Sequence, residues 1–289
     1  METKSPWEAA LYSVDPSLRY MIWLYEMPTW LLALLIVGLT VVVSLLGLYV
    51  THRRLHSSRM AALIDNGTVG WFFSGVTVLY GLTLGLLTVA TWQNYSDASG
   101  IASQEAAQLA VLYRDLSGYP DSVGPPLQRE LREYTEFIVE KSWPAQRRGM
   151  ANDTERAVLT DFQLKLLRTN VNSPAQQVLH GEAIGTFNRL VELRRQRIES
   201  IGNGVPGVLW AVVLLGAVVT IAFSYCFVVE NLRFHALLTG MLALMVGLMI
   251  FLIVALDHPY LGDVSVTPDV YQVVLDKVMV PLKALPKAP

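Results

Sequence analysis

The sequence predicts an all-α membrane protein in which four transmembrane helices, arranged as two hairpins, flank a soluble bundle of helices. Hydrophobic residues make up 53% of the 289 residues and charged residues only 16%, whereas soluble domains carry about 25% charged residues. Four apolar runs are long enough to cross a bilayer, which takes roughly 20 helical residues. Between the second and third runs, apolar residues recur at helical spacing and no strand-like alternation is found.

The four predicted spans are Trp30–Val50, Trp71–Trp92, Val205–Val229 and Ala236–Leu256. The first hairpin therefore covers residues 29–92 and the second covers residues 205–256. No span contains Asp, Glu, Lys, Arg or His. Because proton-coupled transporters usually carry ionisable residues inside the membrane, this absence argues against that class.

Three further segments complete the chain. Residues 1–28 are rich in Trp and Tyr, which favour the headgroup level, and are predicted to be interfacial; the alternative is a short helix packed on the soluble part of the protein. Residues 93–204 form the soluble domain, where amphipathic helices such as the one carrying Leu127, Leu131 and Tyr134 bury their apolar faces on one another. Residues 257–289 form a tail with one amphipathic helix from about Asp269 to Val280 and a disordered Pro/Lys/Ala end.

The stretch from Trp71 to Asp115 has no proline and is predicted to be one helix that leaves the membrane and enters the soluble domain. It carries a line of small and hydroxyl residues spaced by whole helical turns, namely Ser74, Thr77, Gly81, Gly85, Thr88, Ser96, Ser99 and Ser103. In one interpretation the line packs helices within a protomer, as GxxxG patterns do. In the other it lines a pore. The continuation of the line beyond the membrane supports the pore, because close packing in lipid is not needed there.

Two acidic residues, Asp97 and Glu105, flank this line outside the membrane. In an oligomer they would form rings of carboxylates that concentrate cations at the pore mouth. The alternative is that they are ordinary exposed charges, or that Glu105 pairs with an arginine such as Arg194 inside the bundle.

Several functional classes lack support in the sequence. The net charge is −2 and there is no basic stripe of the kind that binds nucleic acid. There is no P-loop, dinucleotide glycine motif, nucleophile elbow or HExxH sequence, so an enzyme is not expected. One cysteine, Cys226, allows neither an intramolecular disulfide nor a cysteine metal cluster. We predict no cofactor and no metal site.

Several short motifs occur in a fixed order. Trp92, Tyr95 and Ala98 precede the run EAAQLAVLYRDLSGYP, and EKSWP, VPGVLW and ALDHPYLGDVSVTP follow. Together these motifs resemble the bestrophin-like family of bacterial membrane proteins over residues 69–272. The resemblance implies a multi-pass protein of the bacterial inner membrane. Bestrophins themselves are pentameric anion channels in which the second span lines the pore and a helical domain continues it.

The sequence departs from bestrophins at two points. Their pore has a neck of bulky hydrophobic residues, whereas the corresponding face here is Ser, Thr and Gly. Their eukaryotic members bind calcium through an acidic run after span four, whereas Asp257, Asp263 and Asp269 are too scattered for a loop of the EF-hand type.

Basic residues suggest the orientation. Arg53, Arg54 and Arg59 lie between spans one and two, and Arg233 lies between spans three and four. The positive-inside rule places these loops in the cytoplasm, and hence the soluble domain and both termini in the periplasm. Bestrophins have the opposite arrangement, and Arg194 and its neighbours before span three also weigh against the assignment.

The leading hypothesis is therefore an oligomeric ion channel with the second span lining the pore. Oligomerisation is expected because four spans in one protomer enclose no aqueous path. The ion is left open, since Asp97 and Glu105 favour cations and the family resemblance favours anions. The alternative hypothesis is a non-conducting membrane sensor or scaffold whose helical bundle binds a partner.

Overall fold

The structure is a computed structural model that describes residues 11–13, 22–55, 64–171 and 173–280. Most of the predicted interfacial segment, the loop that contains Arg59 and the Pro/Lys/Ala end lie outside the described residues. Within them the protein is mostly helical. Ten α-helices are described, α1 Ile22–Tyr25, α2 Thr29–Leu55, α3 Asn66–Asp115, α4 Gly124–Phe137, α5 Trp143–Gln146, α6 Asp153–Leu167, α7 Pro174–Ile201, α8 Gly207–Ser224, α9 Leu232–Asp257 and α10 Asp269–Lys277.

Short irregular elements join some of these helices. A 3₁₀ turn at Leu116–Gly118 ends α3, and a π-helical turn at Ile138–Ser142 joins α4 to α5. One feature differs from the expectation of a chain without strands. Leu11–Ser13 (β1) pairs antiparallel with Met150–Asn152 (β2). Strands of three residues are too short to show an alternating pattern, which is why the sequence did not reveal them.

Side-chain caps fix where the long helices begin. The Asp65 carboxylate accepts hydrogen bonds from the backbone N–H groups of Gly67 and Thr68 at the start of α3. The Ser173 hydroxyl accepts from the N–H of Gln176 at the start of α7, where Pro174 occupies the first helical position. Such caps satisfy N–H groups that have no partner inside the helix.

Four helices are long and apolar enough to cross a membrane, namely α2, the first half of α3, α8 and α9. Their packing is not that of two sequential hairpins. The most extensive contact joins α2 to α9, and α3 packs against both α8 and α9 rather than mainly against α2. The predicted hairpin layout is therefore not confirmed, because the first and last spans pair with each other.

Glycines mark the close contacts between the spans. A Cβ atom added at Gly247 of α9 would lie 3.1 Å from Val37 Cα on α2, and one added at Gly216 of α8 would lie 2.5 Å from the Tyr80 ring of α3. Tyr80 also donates its hydroxyl to the Val213 carbonyl at 3.0 Å. Small residues let helix backbones approach closely where lipid provides no hydrophobic driving force.

The soluble bundle is built from the second half of α3 with α4, α6, α7 and α10. Its core holds large, fully buried side chains, including Trp143, Tyr134, Phe187 and Leu112. Tyr271 of α10 is also fully buried in this core. The segment that follows the fourth span thus completes the bundle.

The α2–α9 contact gives a stability prediction. Gly247→Ala should lower the free energy of unfolding by about 1–3 kcal/mol, because the added methyl group meets the backbone of α2. Gly38→Ala on α2 is the matched control, since a Cβ there has nothing within 4 Å. Thermal melting of both variants in one detergent measures the difference. Equal melting temperatures would show that the close approach at Gly247 is absent in the membrane.

Candidate pore helix and its buried anchor

Helix α3 spans 50 residues without a break, a length of about 75 Å at 1.5 Å per residue. From Tyr80 onwards one of its faces is buried, by Tyr80, Leu84, Leu87 and Thr91 in the membrane and by Ala98, Ala102, Glu105 and Leu109 beyond it. At 100° per residue these eight positions fall within a sector of about 60°. A single face therefore serves both the spans and the soluble bundle.

The predicted line of small residues lies on a different face, centred about 100° around the helix from the buried one. Ser74, Gly81, Gly85, Ser96 and Ser103 are exposed in the protomer, whereas Thr77, Thr88 and Ser99 are half-buried.

The protomer leaves the glycines of this line without a packing partner. Cβ atoms added at Gly81 and Gly85 would meet nothing within 4 Å, in contrast to Gly216 and Gly247. Among the described residues, no neighbouring helix packs on this glycine pair. The interpretation of the line as close packing within one protomer is therefore not supported.

Three of the six hydroxyl groups on the line hydrogen bond to the helix itself. Ser74 donates to the Gly70 carbonyl at 2.8 Å, Thr88 to the Leu84 carbonyl at 2.8 Å and Ser103 to the Ser99 carbonyl at 3.0 Å. Each hydroxyl oxygen keeps lone pairs that can accept from water or coordinate a cation. Ser74, Thr88 and Ser103 can therefore face an aqueous path without leaving a donor unsatisfied, whereas the Thr77 hydroxyl is buried without a hydrogen-bond partner among the described residues.

Trp92 also lies on this face, although it is not among the pore-lining residues predicted from the sequence. Trp92 lies four residues after Thr88 and four before Ser96, so it occupies the same line, and 56% of it is exposed. Its ring stacks on that of Tyr95 with centroids 5.8 Å apart. The helical spacing alone would have identified it, but an interfacial role for Trp is the more familiar explanation.

Glu105 is not a pore-mouth charge, which corrects the prediction for this residue. Its side chain is 0% exposed, and Arg197 of α7 donates to it through Nε at 2.6 Å and Nη2 at 3.2 Å. The alternative of an ion pair inside the bundle is the correct one, with Arg197 as the partner rather than Arg194. Asp97 is exposed on the surface of the protomer.

The ion pair extends into a network across four helices. Arg197 Nη2 also donates to Glu155 of α6 at 2.9 Å, and Glu155 accepts a second bond from Arg194 at 2.9 Å. The Tyr271 hydroxyl of α10 donates to Glu105 at 3.0 Å. The two carboxylates and two guanidinium groups balance in charge, so a set of buried charges joins α3, α6, α7 and α10.

The environment shifts the pKa values of both carboxyl groups, in opposite directions. Burial raises the pKa of Glu105 above its usual range, although Arg197 acts against the shift. Burial also acts to raise the pKa of Glu155, but its two partners, Arg197 and Arg194, lower it below the usual range. The pKa values shift in opposite directions because Glu155 accepts hydrogen bonds from two arginines and Glu105 from one.

A second set of contacts holds the bundle to the membrane helices. Asp257, at the end of α9, accepts from the backbone N–H of Val205 and from Trp210 Nε1, both at the start of the third span. Asn94 of α3 donates to the Asn203 carbonyl at 3.4 Å. The link between α7 and α8 is thus bound to both α9 and α3.

The sequence profile of the Bestrophin-like domain matches residues 38–271. This chain belongs to the Bestrophin-like family. The match includes α3, the soluble bundle, α8 and α9, so it covers the candidate pore helix and its buried anchor. No curated protein matches the chain.

Two crystal structures share the fold of this Bestrophin-like protein. One is described as a membrane protein with a Pro-to-Ala substitution and has 8% identity and a TM-score of 0.62. The other is a bacterial bestrophin homologue from Klebsiella pneumoniae with a Leu-to-Thr substitution, with 11% identity and a TM-score of 0.60. Each similarity covers 86% of this chain and 99% of the other. At these identities the likeness establishes the fold alone.

The buried network gives a second stability prediction. Arg197→Met should lower the free energy of unfolding by about 3–5 kcal/mol, because it leaves two buried carboxylates without their shared cation. Arg195→Met is the matched control, since in the described part of the chain the ion pairs of Arg195 join it to Glu192 and Glu199 on its own helix. Circular dichroism melts of both variants test the prediction. A melting temperature near that of the wild type for Arg197→Met would contradict the role of the network.

Proposed function

We propose that this Bestrophin-like protein forms an oligomeric ion channel whose pore is lined by the small-residue face of α3. The supporting observation is that this face, from Ser74 to Ser103, carries a glycine pair with no neighbour in the protomer and continues out of the membrane. A lipid-facing surface would instead be bulky and apolar, as it is at Leu79, Leu82 and Leu86 of the same helix.

Several copies are needed to form the pore. The four membrane-crossing helices of one protomer pack on one another around a continuous apolar cluster that includes Leu84, Val213 and Ile253. In the described part of the chain, the centre of the four helices is therefore filled with apolar side chains rather than lined as a water-filled path. A ring of protomers with α3 nearest the axis would enclose such a path, and five copies is the number that the family resemblance implies.

The permeating ion depends on the charges near the pore mouth. With Glu105 buried in an ion pair, the argument for cations rests on Asp97 alone, and Asp97 lies about 150° around α3 from the centre of the proposed pore face. The family resemblance favours anions. Reversal potentials in asymmetric salt decide between the two, and Asp97→Asn should reduce any cation preference if a ring of these carboxylates lies at the mouth.

The pore assignment predicts which positions of α3 control conduction. Thr88→Leu and Gly85→Leu place a bulky apolar side chain on the proposed pore face and should reduce ion flux into liposomes by about tenfold or more, because an apolar constriction excludes water. Flux is measured with purified protein reconstituted at a fixed protein-to-lipid ratio.

Two positions on other faces of α3 serve as matched controls. Thr83 is exposed and donates to the Leu79 carbonyl, as Thr88 does to Leu84, and Gly75 has nothing within 4 Å of an added Cβ, like Gly85. Thr83→Leu and Gly75→Leu should leave the flux unchanged. If no ion passes in the wild type under any voltage, pH or divalent-ion condition, the alternative of a non-conducting sensor or scaffold gains support.

We also propose that the soluble bundle lies in the periplasm. The α8–α9 turn and the start of α3 are at the end of the spans opposite the bundle, since Asn66 and Val228 exchange two hydrogen bonds of 2.8 and 2.9 Å. Arg53 and Arg233 are at this same end, so the positive-inside rule places it in the cytoplasm.

Cys226, the single cysteine, is exposed in the α8–α9 turn and reports the orientation directly. A membrane-impermeant maleimide should label Cys226 in inverted vesicles but not in intact spheroplasts. A variant with Cys226→Ser and Val178→Cys should show the reverse, because Val178 is 69% exposed on the bundle. Labelling of Cys226 in spheroplasts would place the bundle in the cytoplasm, as in bestrophins.

A further inference from the structure

A cavity of about 310 Å³ lies among the membrane helices at the end opposite the soluble bundle. Its wall is formed by α3, α9 and the turn between α8 and α9. The lining is mainly apolar and consists of Phe73, Ser224, Phe227, Val229, His235, Leu238, Thr239 and Leu242. At roughly 30 Å³ for a group the size of a water molecule, the volume holds about ten such groups.

The cavity is accessible from the side on which lipid would lie. Leu238, which forms part of the wall, is 47% exposed. Phe73 and Phe227 form a rigid part of the opposite wall, with their rings edge to face and 5.5 Å apart. An apolar space of this size beside lipid is suited to a hydrocarbon chain rather than to water, because its wall has few polar partners.

Three polar side chains, Ser224, His235 and Thr239, interrupt the apolar wall, and the Ser224 hydroxyl donates to the Ile221 carbonyl at 2.7 Å. His235 is 4% exposed and Thr239 is 1% exposed, and neither His235 Nδ1 nor Thr239 Oγ1 has a hydrogen-bond partner among the described residues. Buried polar groups usually have a partner, so the pair requires an explanation. The two residues lie four apart on α9 and hence on one face of the helix.

The hydrogen bonding of His235 indicates what kind of partner is missing. Its Nε2 lies 2.9 Å from the Ser224 carbonyl oxygen. Because a carbonyl only accepts, Nε2 must carry a proton, and Nδ1 of the neutral ring is then an acceptor. With the ring in this form, the missing partner is a hydrogen-bond donor to Nδ1, such as an O–H group. Thr239 can donate its own hydroxyl hydrogen to a second oxygen.

His235 and Thr239 lie close to the start of α9, at the depth where the polar end of a lipid chain would lie. His235 and Thr239 lie three and seven residues after Leu232, where α9 begins, or about 5 and 10 Å along the helix axis. Leu242 is a further three residues along α9. A molecule whose polar end is at His235 would therefore extend its chain along the cavity towards Leu242.

We propose that this cavity binds a single-chain fatty acid, with its carboxyl group at His235 and Thr239 and its hydrocarbon chain between Phe73 and Leu242. A carboxylic acid carries both groups that the site lacks, an O–H donor for His235 Nδ1 and a carbonyl acceptor for Thr239. An apolar surrounding favours this protonated form over the carboxylate. The site is separate from the proposed pore face and does not depend on conduction.

The test uses the full-length protein in nanodiscs of phosphatidylcholine that contain no free fatty acid. The probe is octanoic acid with a diazirine at the far end of its chain, and the adducts are mapped by peptide mass spectrometry. Adducts should concentrate on Phe73 and on the segment 238–242. Unlabelled octanoic acid should compete about tenfold better than its methyl ester, which lacks the O–H donor.

Variants distinguish binding of the fatty acid in this cavity from contact with the surrounding lipid. Leu238→Trp fills the cavity opening and should remove most of the adducts, whereas Leu244→Trp, on another face of α9, should not. Thr239→Val is a milder second variant and should weaken competition by the acid and by its methyl ester alike, because both keep the carbonyl oxygen that accepts from Thr239. Adducts spread evenly over all lipid-facing positions would overturn the proposal in favour of ordinary surrounding lipid. Equal competition by acid and ester would overturn the fatty-acid assignment.

Discussion

The continuity of α3 is the constraint on which the rest of the structure depends. One helix of 50 residues supplies the buried face of the membrane spans and the buried face of the soluble bundle. No proline interrupts it, and its glycine at position 100 lies in open space rather than at a bend. Because both packing surfaces are on the same face, a rotation of α3 in the bundle also rotates the small-residue face within the membrane.

The bundle fixes the rotation of this helix through charge as well as shape. Alanines at positions 98, 102 and 106 are almost fully buried and allow other helices of the bundle to approach closely. Glu105 on the same face then pairs with Arg197, so that sliding or turning of α3 against α7 would separate two buried charges. A buried ion pair contributes little net stability against an apolar replacement, but breaking one is costly. We infer that the network sets the register of α3 within the bundle.

The sequence was sufficient for features that depend on local chemistry. The four apolar runs and the uninterrupted α3 both follow from residues that lie close together in the chain. Features that depend on partners distant in sequence were not predictable. Glu105 and Arg197 are 92 residues apart, and a carboxylate on a helix near a membrane exit has the same sequence pattern whether it is buried or exposed.

The glycines that make close contacts between helices were likewise not predictable from neighbouring residues in the chain. Gly81, Gly85, Gly216 and Gly247 are all small residues in apolar runs, and the GxxxG pattern marks the first two as the better candidates for helix packing. In the structure the latter two make the close contacts, while Gly81 and Gly85 have no neighbour within 4 Å. Which glycine packs depends on the arrangement of the helices, and that arrangement pairs the first span with the last rather than with the second.

The central claim is that the free face of α3 meets an axis shared by several copies of the chain. Single-particle images of the purified protein in nanodiscs test it most directly, because they show the symmetry and the position of α3 together. We predict a closed ring of more than two protomers with an axial opening, and with Gly81, Gly85 and Thr88 nearest the axis. A monomer, a two-fold dimer, or a ring in which this face packs against a neighbouring subunit away from the axis would contradict the claim.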